Sequence, residues 1–145
     1  MRIAVLNGPN LNLLGSREPE IYGRTTLAEI ERAVRDEAGW LGVGLTWMQT
    51  NHEGALVDAV QALAGQADGA VVNAAALTHT SLALRDAFLA VRVPFIEVHL
   101  SNIFAREPER RHSLLADLAV AVVAGLGPAG YVAAVRALAD RLRGD

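Results

Sequence analysis

A single α/β domain built on a five-stranded parallel sheet is the fold that this chain predicts, and three observations predict it. Short apolar runs alternate with longer amphipathic stretches along the 145 residues, the pattern of repeated βα units. The length suits one core that buries roughly 70% of the unfolded surface, so residues 1–145 read as one domain without a linker. Hydrophobic residues make up 52% of the chain and aromatics only 5%, so alanine, leucine and valine must fill the layers.

Residues 3–7 read as the first strand. A long Gly/Pro/Asn-rich segment follows, and then Thr26-Leu27-Ala28-Glu29 has the spacing of a capping box. Leu27, Ile30, Val34, Ala38 and Leu41 recur at helical spacing behind it, and Gly42 and Gly44 end that helix. Residues 43–49 form a second strand, Asn51 an N-cap, and Leu56, Val60 and Leu63 the buried stripe of a second helix. Residues 69–73 are apolar enough for a central strand. Thr80 or Ser81 caps a helix whose Leu84, Phe88 and Val91 face inward and whose Arg85 and Asp86 lie outside. Residues 94–100 give the fourth strand and 118–123 the fifth. A last helix enters through Gly127-Pro128 and carries Val132, Val135, Leu138 and Leu142. Five such units predict a flavodoxin-like three-layer sandwich with strand order 2-1-3-4-5. In that order a ligand sits beyond the carboxyl ends of the strands at the switch point between strands one and three. The loops after strands one, three and four are therefore expected to line the site.

Composition removes several chemistries. All thirteen basic residues are arginines, so an amine nucleophile for a Schiff base and the lysine of a phosphate-binding P-loop are both missing. The absence of cysteine excludes disulfides, thiolate nucleophiles and iron–sulfur clusters. A net charge of -3 without basic runs interleaved with aromatics argues against nucleic acid. The chain opens on a strand without a secretory prelude, and no apolar run approaches the roughly 20 residues that span a bilayer. A cytoplasmic protein without a membrane partner is the expectation. No histidine pair has metal-ligand spacing, so neither a metal nor another cofactor is expected.

Three segments concentrate polar residues where the ligand is expected. The connection at about 8–24 far exceeds the usual two to six residues of a βα loop, so it reads as a lid, with Gly15 and Gly23 as its hinges and Arg17 and Tyr22 between them. Pro9 removes a backbone N–H where a nucleotide cradle needs one, and the glycine spacing of a dinucleotide fingerprint is missing. The alternative is a solvated loop with a tyrosine packed at its end. After strand three, Asn73 is followed by small residues and by His79, Thr80 and Ser81, which serve either a ligand or the next helix as caps. In strand four, alternation puts Glu97, His99 and Ser101 on one side. A carboxylate in this apolar run needs a partner, His99 or an arginine, and it can orient the imidazole as a general acid or form a structural ion pair. His52 reads as a residue of a helix start. His112 lies in a run of alternating charge, 106–112, that reads as a solvated segment from which one arginine could reach a ligand. Asp86 beside Arg85 reads as a surface helix pair.

LNGPNLNLLG at 6–15, REP at 17–19, IYG at 21–23, NHEG at 51–54, THTS at 78–81, ALRD at 83–86, IEVHLSNI at 96–103 and residues 127–131 together resemble the type II 3-dehydroquinate dehydratases, in order and over nearly the whole chain. The resemblance implies a flavodoxin-like fold and dehydration of 3-dehydroquinate to 3-dehydroshikimate through an enolate, the third step of the shikimate route. It implies Tyr22 as the base, His99 as the acid, Arg17 as the stabiliser of the tyrosinate, Asn10 as a holder of the water on the enolate oxygen, and Glu97 as support for the acid. Asn73, His79, Arg110 and the backbone N–H groups of Leu100 and Ser101 would bind the substrate, and Asp86 would reach a neighbouring site in a dodecamer of four trimers. A guanidinium about 4 Å from a phenolate supplies about 1 kcal/mol in bulk water and about 4 kcal/mol at an effective dielectric near 20, so Arg17 suffices only under a closed lid. The chain departs from the family pattern at Ala74, where proline is common, at Leu77, where many members carry tyrosine, and at Pro108, where acidic residues are usual. A non-catalytic flavodoxin-like module is the competing reading. A receiver domain, however, needs an acidic pocket and a lysine, and an FMN carrier needs a hydroxyl-rich loop after strand one.

Overall fold

The computed structural model describes residues 1–16 and 18–144. Five parallel strands, β1 (Arg2–Asn7), β2 (Gly44–Gln49), β3 (Gly69–Asn73), β4 (Phe95–His99) and β5 (Ala121–Ala124), pair in the order β2-β1-β3-β4-β5. Strand order and layering are those that the sequence predicts. Alternation along each strand divides the apolar residues between two layers. Ile3, Val5, Val71, Ile96 and Val98 face α2 (Leu27–Leu41) and α6 (Ala129–Arg143), where Ile30, Val34, Val135 and Leu138 are buried. Ala4, Leu6, Ala70, Val72 and Phe95 face α3 (Glu53–Gln61) and α5 (Leu82–Val91), where Leu56, Val60, Leu84 and Phe88 close the second core. The central strand β3 is buried along its whole length, as a strand covered on both faces must be.

Local signals explain most boundaries. Thr26 caps α2 by accepting a hydrogen bond from the Glu29 N–H at 3.2 Å, and Gly42 ends it in the left-handed region at φ 69°. Ser81, rather than Thr80, caps α5 through the Leu84 N–H at 2.9 Å. Thr80 instead ends a separate helical turn, α4 (Leu77–Thr80). Two expectations need correction. Asn51 does not cap α3: His52 holds that position without a side-chain cap, and the Asn51 carbonyl accepts from the Asn10 N–H at 2.9 Å and from Gln49 at 3.1 Å. The fifth strand begins at Ala121 rather than 118, because Leu118 and Ala119 donate back to the Leu115 carbonyl in a turn. Arg85 also chooses a distant partner over its neighbour Asp86, forming a paired contact to Asp117 at 2.5 and 2.9 Å.

The switch point requires a glycine. The Gly8 N–H donates to the Asn73 carbonyl at 2.8 Å, and a Cβ at Gly8 would lie 2.4 Å from the Ala74 carbonyl oxygen. No larger residue fits unless the β1 and β3 loops part. Around this point the long connection winds into a 3-10 turn, Leu11–Leu13, and a short helix, α1 (Pro19–Tyr22). Gly15 and Gly23 both adopt positive φ, 93° and 80°. No helix among the described residues is long and apolar enough to cross a membrane.

Candidate active site

One cleft of about 620 Å³ of empty space, part of it open solvent, lies at the carboxyl ends of β1, β3 and β4. The loop after β1 gives it Asn10 and Tyr22, the loop after β3 gives Asn73 and His79, and β4 with the segment beyond it gives His99, Leu100, Ser101, Arg106 and Arg110. The three loops expected to line the site do line it. Two of the cleft's residues, Asn10 and Ala75, hold positive φ of 68° and 53°, a cost that persists only where the surroundings dictate the conformation.

The floor of the cleft is a directed chain of hydrogen bonds. Asn7 and Asn73 end β1 and β3 in register with each other, and the buried Tyr131 of α6 rises between them. The Ala75 N–H donates to Asn73 Oδ1 at 3.1 Å, which turns the Asn73 Nδ2 to donate to the Tyr131 hydroxyl at 2.9 Å. That hydroxyl donates to Asn7 Oδ1 at 2.8 Å, and Asn7 Nδ2 donates to the Met48 carbonyl at 3.0 Å. Backbone groups anchor both ends, so every polarity along the chain is fixed. One Asn73 N–H is left over for a ligand. Burial raises the Tyr131 phenol well above its ordinary value near 10.0, while the Asn73 bond opposes that rise. Tyr131 is therefore a neutral structural pillar.

On the wall opposite, Arg106 Nη1 donates to the Tyr22 hydroxyl at 2.7 Å, with its guanidinium carbon 5.3 Å from the ring centroid. Only 15% of the Arg106 side chain is exposed, so the charge acts in a partly dry setting where it is worth more than in water. Arg110, in the same cleft, donates through Nε to Glu107 at 2.5 Å. That bond, ahead of the opposing burial and the nearby Tyr22 charge, raises the guanidinium further above its usual range.

His99 stands at the end of β4 with its ring stacked 6.4 Å from that of His79. Its Nε2 faces Oε1 of Glu97 at 3.5 Å, and Glu97 is buried completely beneath it. The Ser113 hydroxyl donates to the same oxygen at 2.5 Å. His79 Nδ1 bonds the His112 carbonyl at 2.7 Å, which ties the end of the arginine-bearing segment to the β3 loop.

Of the residues singled out in the sequence, Asn10, Tyr22, Asn73, His79, His99, Leu100, Ser101 and Arg110 meet in the cleft, and Glu97 supports it from below. Asp86 is exposed on α5, outside the cleft. Arg17 lies outside the described residues. Three residues escaped the sequence reading: Arg106, taken as part of a solvated charge run, Ser113, and the pillar Tyr131. Among the described residues no cluster of His, Asp and Glu is suited to a metal ion. The arrangement joins a cation-backed phenol and a carboxylate-backed imidazole, the parts of a base and an acid that serve one substrate.

The family model described as dehydroquinase class II matches residues 1–139. The 3-dehydroquinate dehydratase of Gemmatimonas aurantiaca is 59% identical, over 98% of this chain and 93% of that protein. The protein of the same name from Bordetella petrii is 61% identical, over 93% of this chain and 94% of its own. Among solved structures, the type II dehydroquinase from Propionibacterium acnes superposes with a TM-score of 0.91 at 40% identity, covering 95% of each chain. With its strand order, its cleft and a match from the first residue to the last helix, the chain belongs to the class II dehydroquinase family.

Proposed function

We infer that the chain is a lyase that dehydrates 3-dehydroquinate to 3-dehydroshikimate in the shikimate route to aromatic amino acids. The observation that carries the reading is the meeting, in one cleft, of a tyrosine hydroxyl bonded to Arg106 and a histidine backed by a buried glutamate. Tyr22, as phenolate, takes the proton from C2, and the C–H electrons move into the C3 carbonyl to give an enolate. The enolate then re-forms the carbonyl as the C1=C2 double bond closes and the C1–O bond breaks. His99 gives its proton to the departing hydroxyl, which leaves as water. Proton exchange with solvent then resets Tyr22 and His99.

Arg106, with Arg17 on the lid, stabilises the tyrosinate. Asn10 holds the water that bonds the enolate oxygen, and Glu97 supports the acid His99. Asn73, with its spare N–H, His79, Arg110 and the backbone N–H groups of Leu100 and Ser101 hold the hydroxyls and carboxylate of the substrate. The route needs no cofactor. Asp86, solvent-facing on α5, serves the site of a neighbouring copy in a cytoplasmic dodecamer, and sedimentation at twelve times the 15.4 kDa chain mass tests that assembly.

The direct experiment adds 3-dehydroquinate and follows the ultraviolet absorbance of the conjugated enone product. The unmutated chain is expected to give a rise, and Tyr22→Phe to keep the fold and lose the rise. No product from the unmutated chain overturns the activity, and near wild-type turnover by Tyr22→Phe overturns the base.

A further inference from the structure

Ser113 stands behind the acid rather than in the cleft. Its Oγ accepts two backbone hydrogen bonds, from the Leu115 N–H at 3.1 Å and the Ala116 N–H at 3.0 Å. A hydroxyl has two acceptor sites and one hydrogen. With both acceptor sites taken, that hydrogen is free for one remaining partner, and Glu97 Oε1 lies 2.5 Å away. The backbone turn therefore fixes Ser113 as a donor to Glu97.

The receiving oxygen is the one that faces His99 Nε2 at 3.5 Å. The Ser113 hydrogen bond fixes where that oxygen sits beside the imidazole, whose Nε2 has no hydrogen-bond partner among the described residues. Glu97 is completely buried, and its other oxygen, Oε2, has no hydrogen-bond partner among the described residues. Among the described residues, Ser113 is thus the one close hydrogen-bond donor to the carboxylate. We propose that Ser113 is a positioning residue for the dehydration, one that acts through Glu97 to present His99 as the acid. This proposal rests on the reading of the cleft given above.

A purely structural role makes a different prediction. Ser113 closes the segment that carries Arg106 and Arg110, and its neighbour His112 holds His79 through a carbonyl. If Ser113 served only as an anchor for that segment, its loss would loosen Arg110 and His79 and raise KM. Acting through Glu97, its loss lowers kcat, because the acid works in the step that expels water.

The test measures kcat and KM for 3-dehydroquinate in Ser113→Ala, Ser113→Gly, Ser113→Thr, Glu97→Gln and the pair Ser113→Ala with Glu97→Gln, each checked for folding by thermal melting. Glycine is tolerated at a capping position at little cost, so Ser113→Gly removes the hydroxyl even where alanine does not fold. The expected result is a roughly tenfold or greater fall in kcat for Ala and Gly with KM within about twofold, the scale of one lost hydrogen bond to a charged group. Threonine, which restores the hydroxyl, returns kcat to within about threefold of the unmutated chain. In the Glu97→Gln background, Ser113→Ala changes kcat by less than about twofold. A raised KM with unchanged kcat, an equal loss in both backgrounds, or a folded Ser113→Thr that stays slow overturns the proposal and leaves the dehydratase reading standing. No turnover by the unmutated chain overturns both.

Discussion

Arg106 and Tyr131 are the residues whose roles depend most on partners far away in sequence, 84 and 58 positions from Tyr22 and Asn73. Nothing near either residue in the chain announces them. Arg106 sits in alternating charge, which by itself describes a solvated surface, and only the approach of Tyr22 from the loop after β1 gives it that partner. Arg106→Ala is expected to lower kcat by roughly ten- to a hundredfold with little change in KM, since a charge-assisted bond to the phenolate oxygen is worth about 1.5–3 kcal/mol; steady-state kinetics on the folded variant measure this. Glu97 and His99 were legible, because period-two alternation on a strand is a local property. Tyr131→Phe leaves Asn7 Oδ1 and Asn73 Nδ2 without their buried partner, a loss of about 2–4 kcal/mol at neutral pH. Its pH dependence has a definite sign. The folded-state pKa of Tyr131 is raised, so its stabilising effect is complete below about 10 and declines as the pH rises above that value, by about 1.4 kcal/mol per unit. Urea unfolding between pH 9 and 11 is expected to show a shallower alkaline decline in Tyr131→Phe than in the unmutated chain.

Among the elements, those decided by their own residues were readable and those decided by neighbours were not. The α2 cap at Thr26 and the run of β3 follow from spacing and composition alone. The start of β5 does not, because Leu118 and Ala119 donate back to the Leu115 carbonyl in a turn, and the chain first reaches β4 where the Val120 N–H donates to the Phe95 carbonyl. Asn51 failed as a cap because the loop after β1 recruits its side chain, with Gln49 reaching Gly8 and Asn12 beside it. The loop after β1 is therefore laced to the end of β2. Gly8 and Gly44 give a matched pair of element-scale tests. Gly8→Ala drives a Cβ to 2.4 Å from a backbone oxygen and is expected to cost about 2–3 kcal/mol, a fall in Tm of roughly 6–12 °C. In Gly44→Ala, at the start of edge strand β2, the new Cβ meets its nearest atom at an ordinary 3.5 Å, so its Tm should stay close to that of the unmutated chain.

At the scale of the whole molecule, the absence of lysine fixes the class of mechanism. No side chain of this protein forms an imine with the substrate ketone, so borohydride added with 3-dehydroquinate is expected to leave activity intact. Mass spectrometry showing a reduced covalent adduct would contradict the enolate route. Fold class and strand order were legible because five βα units in this length leave few topologies, and topology in turn placed the cleft between β1 and β3. The Asn7–Tyr131–Asn73 bridge ties the first strand to the last helix across 124 residues of chain. During synthesis, then, all five strands leave the ribosome before the side chain that satisfies the amides at their centre. Until residue 131 emerges, the nascent sheet holds two unanswered polar groups at the mouth of its future cleft.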